Sequence, residues 1–349
     1  MNIRVLDLFC GGGGSSWGAH KAGARIVCGV DAWDVAIKTY QDNFPEAKAV
    51  QERLTPDFNP AQLGDLSRID MILASPECTS HTCARGKRER CDDSRNTAFL
   101  VLKFIDHFEP RWVVIENVVH MKQWERYDEF ITELRKRGFK IKEQTHDAAW
   151  FGVPQNRRRL FIVCDRNGDI PAITPAEGTI KLTAGDILDT CRTWKCGPLD
   201  NGKRALPTLE RARRAIDALG KGKPFLIVYY GSDAAGGWQP LDRPIRTLTT
   251  LDRFGLVEWY NNIPTLRMLQ VPELRRAMGF SDDFRMQQGC RRDQIKVLGN
   301  GVCPPVMTSI VRQITSSFRD TLIVPRSIAR HAIPEFANSC EINSLMSMP

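Results

Sequence analysis

The chain has no long apolar run. Its longest, such as Trp112 to Ile115 and Phe225 to Tyr230, fall far short of the roughly 18 residues a membrane-spanning helix needs. No membrane segment is expected. The N-terminal stretch has no long apolar core and already carries Asp7 in its first apolar segment, so it does not read as a signal peptide. Paired cysteines are missing as well: the eleven run from Cys10 to Cys340 without a CxxC, and the six histidines lack finger spacing. That disfavours structural zinc and a disulfide framework, and points to a reducing, cytoplasmic setting with no metal. Neither the Walker pattern nor a full GxGxxG is present, which disfavours nucleoside triphosphates and dinucleotides as ligands.

The 349 residues, 42% hydrophobic and 26% charged, match an ordinary globular mixture and predict about two domains. The net charge of +8 favours a polyanionic partner, although charge alone is a weak argument.

Short apolar strands alternate with amphipathic stretches over the first 165 residues. This is the α/β pattern of a mainly parallel sheet with helices on both faces. The pattern predicts strands at Arg4 to Leu8, Arg25 to Val30, Met71 to Ala74, Trp112 to Glu116 and Arg159 to Cys164. Helices are predicted at Ser16 to Ala22, Val35 to Asn43, Thr97 to Phe108 and Tyr127 to Arg137. The rhythm breaks near Asp165, where Gly, Pro and basic residues become frequent and a single clear helix, Leu206 to Leu219, stands out. A smaller, irregular domain is expected there. Between Lys181 and Lys223 bases outnumber acids two to one, which suits either a phosphate-binding face or a solvated surface. An apolar helix pattern returns at Val306 to Phe318, and the tail beyond it shows little periodicity. The expected division is 1–165 completed by 299–322, then 166–298, then a loosely held tail 323–349.

The first strand runs into Phe9-Cys10-Gly11-Gly12-Gly13-Gly14 and then into a helix. Such a loop lets the backbone turn sharply and approach a nucleotide-like ligand. About 20 residues on, the second strand ends at Asp31, where an acid commonly accepts from ribose hydroxyls. A cofactor with a ribose and no pyrophosphate fits best, and S-adenosylmethionine is such a molecule. Trp33 is a candidate to pack on its adenine, or else a core residue.

Three further groups are placed at strand ends. Cys78 follows the strand Met71 to Ala74 through Ser75-Pro76-Glu77, Glu116 ends the next strand, and Arg157 and Arg159 lead into another with alternate residues on one face. Singly each is commonplace; together they bring a thiol, a carboxyl and a guanidinium toward one sheet edge.

These blocks carry a family resemblance. The chain is similar to cytosine-5 DNA methyltransferases from Asp7 to Val306. Asp7-Leu8-Phe9-x-Gly11-x-Gly13-Gly14 resembles the family's cofactor loop, Pro76-x-Cys78 its nucleophile loop, Glu116-Asn117-Val118 its cytosine-binding tripeptide and Gln155-x-Arg157-x-Arg159 its QxRxR segment. Arg243-Pro244-Ile245-Arg246-Thr247 and Gly299-Asn300-Gly301-Val302 resemble the two blocks that follow. The resemblance implies a Rossmann-like sheet, a target-recognition domain over 166–298, S-adenosylmethionine as cofactor and double-stranded DNA as substrate. It also implies a monomer in a bacterial or phage-infected cytoplasm, close to the nucleoid. By the same resemblance Phe9, Gly11, Gly13, Asp31, Glu52, Pro76 and Asn300 would hold the cofactor.

The implied chemistry accounts for the residue types. A Cys78 thiolate attacking C6 turns C5 of cytosine into an enamine-like carbon able to accept a methyl group. A protonated Glu116 bonded to N3 stabilises the ring's added electron density. Arg159 would contact O2 and orient Glu116, and Arg157 would support the nucleophile loop. The target must be flipped out of the duplex, at a cost of a few kcal/mol. The basic segment Ala84 to Arg90 suits a loop closing on phosphates. Gly-rich aromatic stretches at Tyr229 to Ser232 and Gly236 to Trp238 suit either groove contacts or a plain hairpin.

Two departures stand out: Glu77 and Thr79 flank Cys78 where the family has proline and often glutamine. An anion beside the thiol would raise its pKa unless it faces solvent or a base. The competing readings are the same chemistry on tRNA, a catalytically silent DNA-binding relative and, disfavoured by the glycine spacing, a nicotinamide oxidoreductase.

Overall fold

A computed structural model describes residues 3–77, 92–190, 193–231 and 236–316, with the side chains of 92–96 outside the description. The chain divides after Thr315, and the site lies in the first unit. Strands β1 (Arg4–Leu8), β2 (Arg25–Asp31), β3 (Lys48–Gln51), β4 (Met71–Ala74), β5 (Trp112–Asn117), β6 (Lys140–Asp147) and β7 (Arg158–Asp165) form a seven-stranded sheet. Their order is β3-β2-β1-β4-β5-β7-β6. Neighbours from β3 to β5 pair in parallel, and β7 pairs antiparallel with both β5 and β6.

The central strands read as continuous apolar runs because both faces are covered. β4 and β5 are buried along their whole length. Leu6, Ile72, Val113, Ile115 and Ile162 pack with Phe104 and Ile105 of helix α3 (Asp92–Phe108) and with Phe130 and Leu134 of helix α4 (Tyr127–Lys136). Alternate residues face the other way, where Asp7 accepts from Ser16 of helix α1 (Gly14–Lys21). Helix α2 (Asp34–Asn43) joins β2 to β3.

Strand order reverses between β1 and β4, whose carboxyl ends carry the glycine loop and Ser75-Pro76. Such a switch point is where open α/β sheets bind ligands.

The predicted strands and helices are all present, with ends moved by a few residues. The pattern did not predict β3 or β6. β6 is an edge strand, Lys-Ile-Lys-Glu-Gln-Thr-His-Asp, whose charges suppress the apolar signal and also blunt an exposed edge.

The segment after Asp165 has more order than its Gly- and Pro-rich sequence suggests. β8 (Gly197–Pro198), β9 (Phe225–Val228), β10 (Trp238–Pro240), β11 (Phe254–Tyr260) and β12 (Ile263–Met268) form a five-stranded antiparallel sheet in the order β10-β9-β11-β12-β8. Ala212 and Ala215 of helix α5 (Leu206–Leu219) share its core with Phe225, Ile227 and Val257. Several of these strands span four residues or fewer, too short to show periodicity.

The chain then returns through helices α6 (Val271–Ala277), α7 (Arg291–Asn300) and α8 (Pro304–Ile314), and α8 packs along α1. Among the described residues no helix is long and apolar enough to cross a membrane. The predicted tail 323–349 lies outside the described residues.

Candidate active site

β1 passes into the glycine loop through Phe9, which adopts φ 54°, unusual for a side chain of that size. Gly13 caps α1 at φ 98°, a conformation glycine reaches without Cβ strain. A Cβ on Gly14 would strike the backbone carbonyl of Val302, so the loop and the C-terminal block touch where only hydrogen fits. Gly11 faces open space.

Asp31 pins this loop to the end of β2. One carboxyl oxygen accepts from the Gly11 N–H at 2.9 Å and the other from the Trp33 N–H at 2.9 Å. Burial raises the Asp31 pKa, against the pull of these backbone donors and of Lys296. The Lys296 ammonium lies 4.1 Å from the Trp33 ring centroid. Glu52 follows β3, and its N–H donates to the Asp31 carbonyl at 2.9 Å, bringing an exposed carboxyl to the same edge.

Beneath the loop Asp7 is fully buried. Its Oδ2 accepts from Ser16 Oγ at 2.7 Å, its Oδ1 has no hydrogen-bond partner, and burial lifts its pKa to about 7.

The second half of the site forms at the ends of β4, β5 and β7. Glu116 is 6% exposed, and Arg159 Nε lies 3.1 Å from its Oε1. Burial raises the Glu116 pKa; Arg159, Arg157 and a hydrogen bond from Ser75 pull it back. A buried carboxyl that tends to keep its proton, beside a fixed cation, is suited to handing that proton to a ring nitrogen. Next to it the Asn117 amide donates to the Pro76 carbonyl at 3.2 Å, so the entry to the nucleophile loop is tied to the β5 end. The Glu77 side chain is exposed. Cys78, Thr79 and Ala84 to Arg90 lie outside the described residues, as do Ser232 and its neighbours up to residue 235.

Arg157 is 3% exposed, and its guanidinium joins distant segments. Nη1 donates to the Leu248 carbonyl at 3.0 Å, and Nη2 donates to the carbonyls of Gly299 at 2.8 Å and Gly301 at 2.9 Å. Both flanks of Asn300, itself exposed at the end of α7, are thus held by one side chain. Cys78, the part of the nucleophile loop that Arg157 is expected to support, lies outside the described residues. Gln155 acts in parallel, donating to the Ala277 carbonyl at 3.0 Å and accepting from the Leu248 N–H at 2.7 Å.

The sequence reading overlooked three residues of the site. Ser75 bonds Glu116, and Lys296 covers Trp33; a serine and a lysine in ordinary contexts give no local signal. Cys303 is buried within electrostatic reach of Arg157, Arg159 and Glu116. Burial pushes its pKa up to about 11, so it is held as an inert thiol.

The C-5 cytosine-specific DNA methylase family matches residues 3–316. The chain is 28% identical over 242 residues to the Type II methyltransferase M.HgiDI of Herpetosiphon aurantiacus, covering 62% of this chain and 74% of that protein. It is 25% identical over 321 residues to the Type II methyltransferase M.NlaX of Neisseria lactamica, covering 90% and 97%. Among solved structures, the S. pombe Dnmt2 methyltransferase superposes with a TM-score of 0.65 at 16% identity, covering 91% of this chain and 99% of that one, a likeness of fold. The match runs through the glycine loop, the Glu116 and Arg159 pair and the C-terminal return, and by it the chain belongs to the C-5 cytosine-specific DNA methylase family and is a DNA cytosine-5 methyltransferase.

Proposed function

We propose that the chain methylates C5 of a cytosine flipped out of duplex DNA, with Cys78 as nucleophile, Glu116 as proton donor to N3 and Arg159 as the group that orients Glu116. The observation that carries this reading is the buried Glu116 held 3.1 Å from Arg159 at the β5 end, with Pro76 tied to the adjacent Asn117. Cys78 follows Pro76 by two residues in the sequence.

The glycine loop fits a nucleoside-bearing cofactor: Gly11 faces open space, and Asp31 and Glu52 share the edge beside it. Phe9, Gly11, Gly13, Asp31, Glu52, Pro76 and Asn300 would hold S-adenosylmethionine. When bound, that cofactor supplies an electrophilic methyl group. Asp31 accepts from the backbone N–H groups of Gly11, Trp33 and Ala32, and a carboxylate has about four lone-pair sites, which leaves room for a hydroxyl.

The chain's own part is to shift electrons and protons on the base. The Cys78 thiolate adds to C6, and the C5–C6 double bond opens toward the ring. N3 takes the Glu116 proton, which keeps negative charge from building on the ring. Arg159 keeps the resulting carboxylate paired, so Glu116 is not left as a lone buried anion. After C5 has been alkylated, loss of its proton restores the double bond and expels the thiolate. The Glu77 side chain is exposed, which accords with a carboxylate turned toward solvent.

The basic balance of the chain and its membership of the C-5 cytosine-specific DNA methylase family support duplex DNA as substrate. The test is transfer of labelled methyl from S-adenosylmethionine to duplex DNA and to tRNA, followed by base analysis. Label in 5-methylcytosine of DNA is the expected result. Label confined to tRNA, or to another base, overturns the reading.

A further inference from the structure

Where the approach to β7 meets the small sheet, a cleft of about 500 Å³ opens, lined by Asn156, Trp238, Gln239, Pro240, Arg243 and Arg246 among others. Its walls are a single hydrogen-bonded piece. The Asn156 N–H donates to the Ile245 carbonyl at 2.8 Å, and the Thr247 hydroxyl donates to the Asn156 carbonyl at 2.7 Å. The Gln239 amide donates to the Pro244 carbonyl at 3.2 Å and accepts from the Arg246 N–H at 3.1 Å. The Arg246 guanidinium donates to the Trp238 carbonyl at 3.3 Å. The cleft therefore joins the segment leading to Arg159 directly to β10.

Its charge is one-sided: among the described lining residues two are arginines and none is acidic. Arg243 is 64% exposed, and the Asp242 carboxylate beside it, 3.8 Å away, is itself 81% exposed. Such a pair contributes little and gives way readily to another anion. Two arginines of α5 border the same hairpin. Arg214 donates to the Gly236 carbonyl at 3.2 Å, and the Arg211 side chain lies against Gly237. The basic excess between Lys181 and Lys223, which suited two readings in the sequence, is partly gathered here.

We infer that this cleft seats the sugar-phosphate backbone of the duplex, with Arg243 and Asn156 holding one phosphate. The inference rests on the DNA-methylation reading above and adds a positioning contact to it. A guanidinium fork matches phosphate oxygens, and an amide adds a directed donor. Because backbone contacts fix register without reading bases, Arg243 sets where the duplex lies on the small sheet rather than which sequence is chosen.

The test is fluorescence anisotropy of the full chain at several salt concentrations. It uses a duplex that the wild type methylates, an unrelated duplex of equal length, and tRNA. Arg243→Ala should lower the slope of log affinity against log salt by about 0.9, and it should weaken both duplexes by the same factor. Affinity for S-adenosylmethionine should not change, and Arg243→Lys should keep most of the slope. An Arg243→Ala protein with wild-type slope and affinity overturns the inference, as does a loss confined to the methylated duplex or to tRNA. If Arg243→Ala misfolds, Arg243→Gln against Arg243→Lys separates charge from size, and equal slopes overturn it. A wild type that binds and methylates no duplex fails the functional reading itself; an unchanged slope with DNA methylation intact fails only this inference.

Discussion

The Arg159 guanidinium lies 3.1 Å from the Glu116 carboxyl, a pair formed across the antiparallel junction of β5 and β7 at the edge where the nucleophile loop begins. Burial raises the Glu116 pKa while Arg159, Arg157 and Ser75 restrain the rise. A carboxyl so balanced can hold a proton for N3 and then survive as an anion once the proton is given up.

Replacing Glu116 separates binding from chemistry. Glu116→Gln keeps a donor for N3 and an acceptor for the exocyclic amine but has no proton to transfer, so kcat should fall by about 10² to 10³ while DNA affinity changes little. The sign of the pH effect follows from the raised pKa. Wild-type turnover that depends on the protonated carboxyl is lost as pH rises through that pKa, and the residual turnover of Glu116→Gln should lack this basic limb. Single-turnover methyl transfer across pH checks both points, and an unchanged limb in the variant assigns it to another group.

Arg157 is expected to act through the cofactor side. Its three carbonyl partners at Leu248, Gly299 and Gly301 are each worth roughly 1.5 to 3 kcal/mol as charged hydrogen bonds, though not additively. Arg157→Ala should lower the melting temperature and weaken S-adenosylmethionine binding by calorimetry, with Arg157→Lys in between. If stability and cofactor affinity stay at wild-type values and only methyl transfer is lost, Arg157 serves the reacting groups directly.

Asp7 makes stability fall with pH. Its pKa rises from 3.8 to about 7 on burial, so the folded chain prefers the neutral acid. Stability from this preference is complete below the unfolded pKa and is lost as pH climbs through about 7. At 1.36 kcal/mol per pKa unit the whole window is worth up to about 4 kcal/mol. Asp7→Asn, which still offers Ser16 an acceptor, should show a flatter decline between about pH 4 and pH 7 in denaturant titrations. Parallel curves for the two proteins would remove Asp7 from the pH dependence.

Much of this site was legible in the sequence because its residues sit where local pattern dictates. The glycine loop follows an apolar strand, and Glu116 and Pro76 sit at or just beyond the ends of two others, so a parallel sheet carries them to one edge without further information. What could not be read are relations between residues far apart in the chain. Arg157 stands 91 to 144 residues from its carbonyl partners, and Gly14 meets Val302. Cys303 belongs to the site only because the chain returns there, and Ser75, at the end of β4, carries no local mark of its bond to Glu116. β6 escaped because its charges mask a strand, and the small sheet because its shortest strands are below the length at which alternation shows.

Covalent trapping tests the central claim most directly. A duplex carrying 5-fluorocytosine at the methylated position cannot lose fluorine as the proton is lost, so the base should stay bonded to the enzyme. With S-adenosylmethionine present, the wild type and Cys303→Ala should each give a complex that survives denaturing electrophoresis, and Cys78→Ala should give none. A wild type that leaves no adduct, or an adduct that persists in Cys78→Ala, contradicts the account.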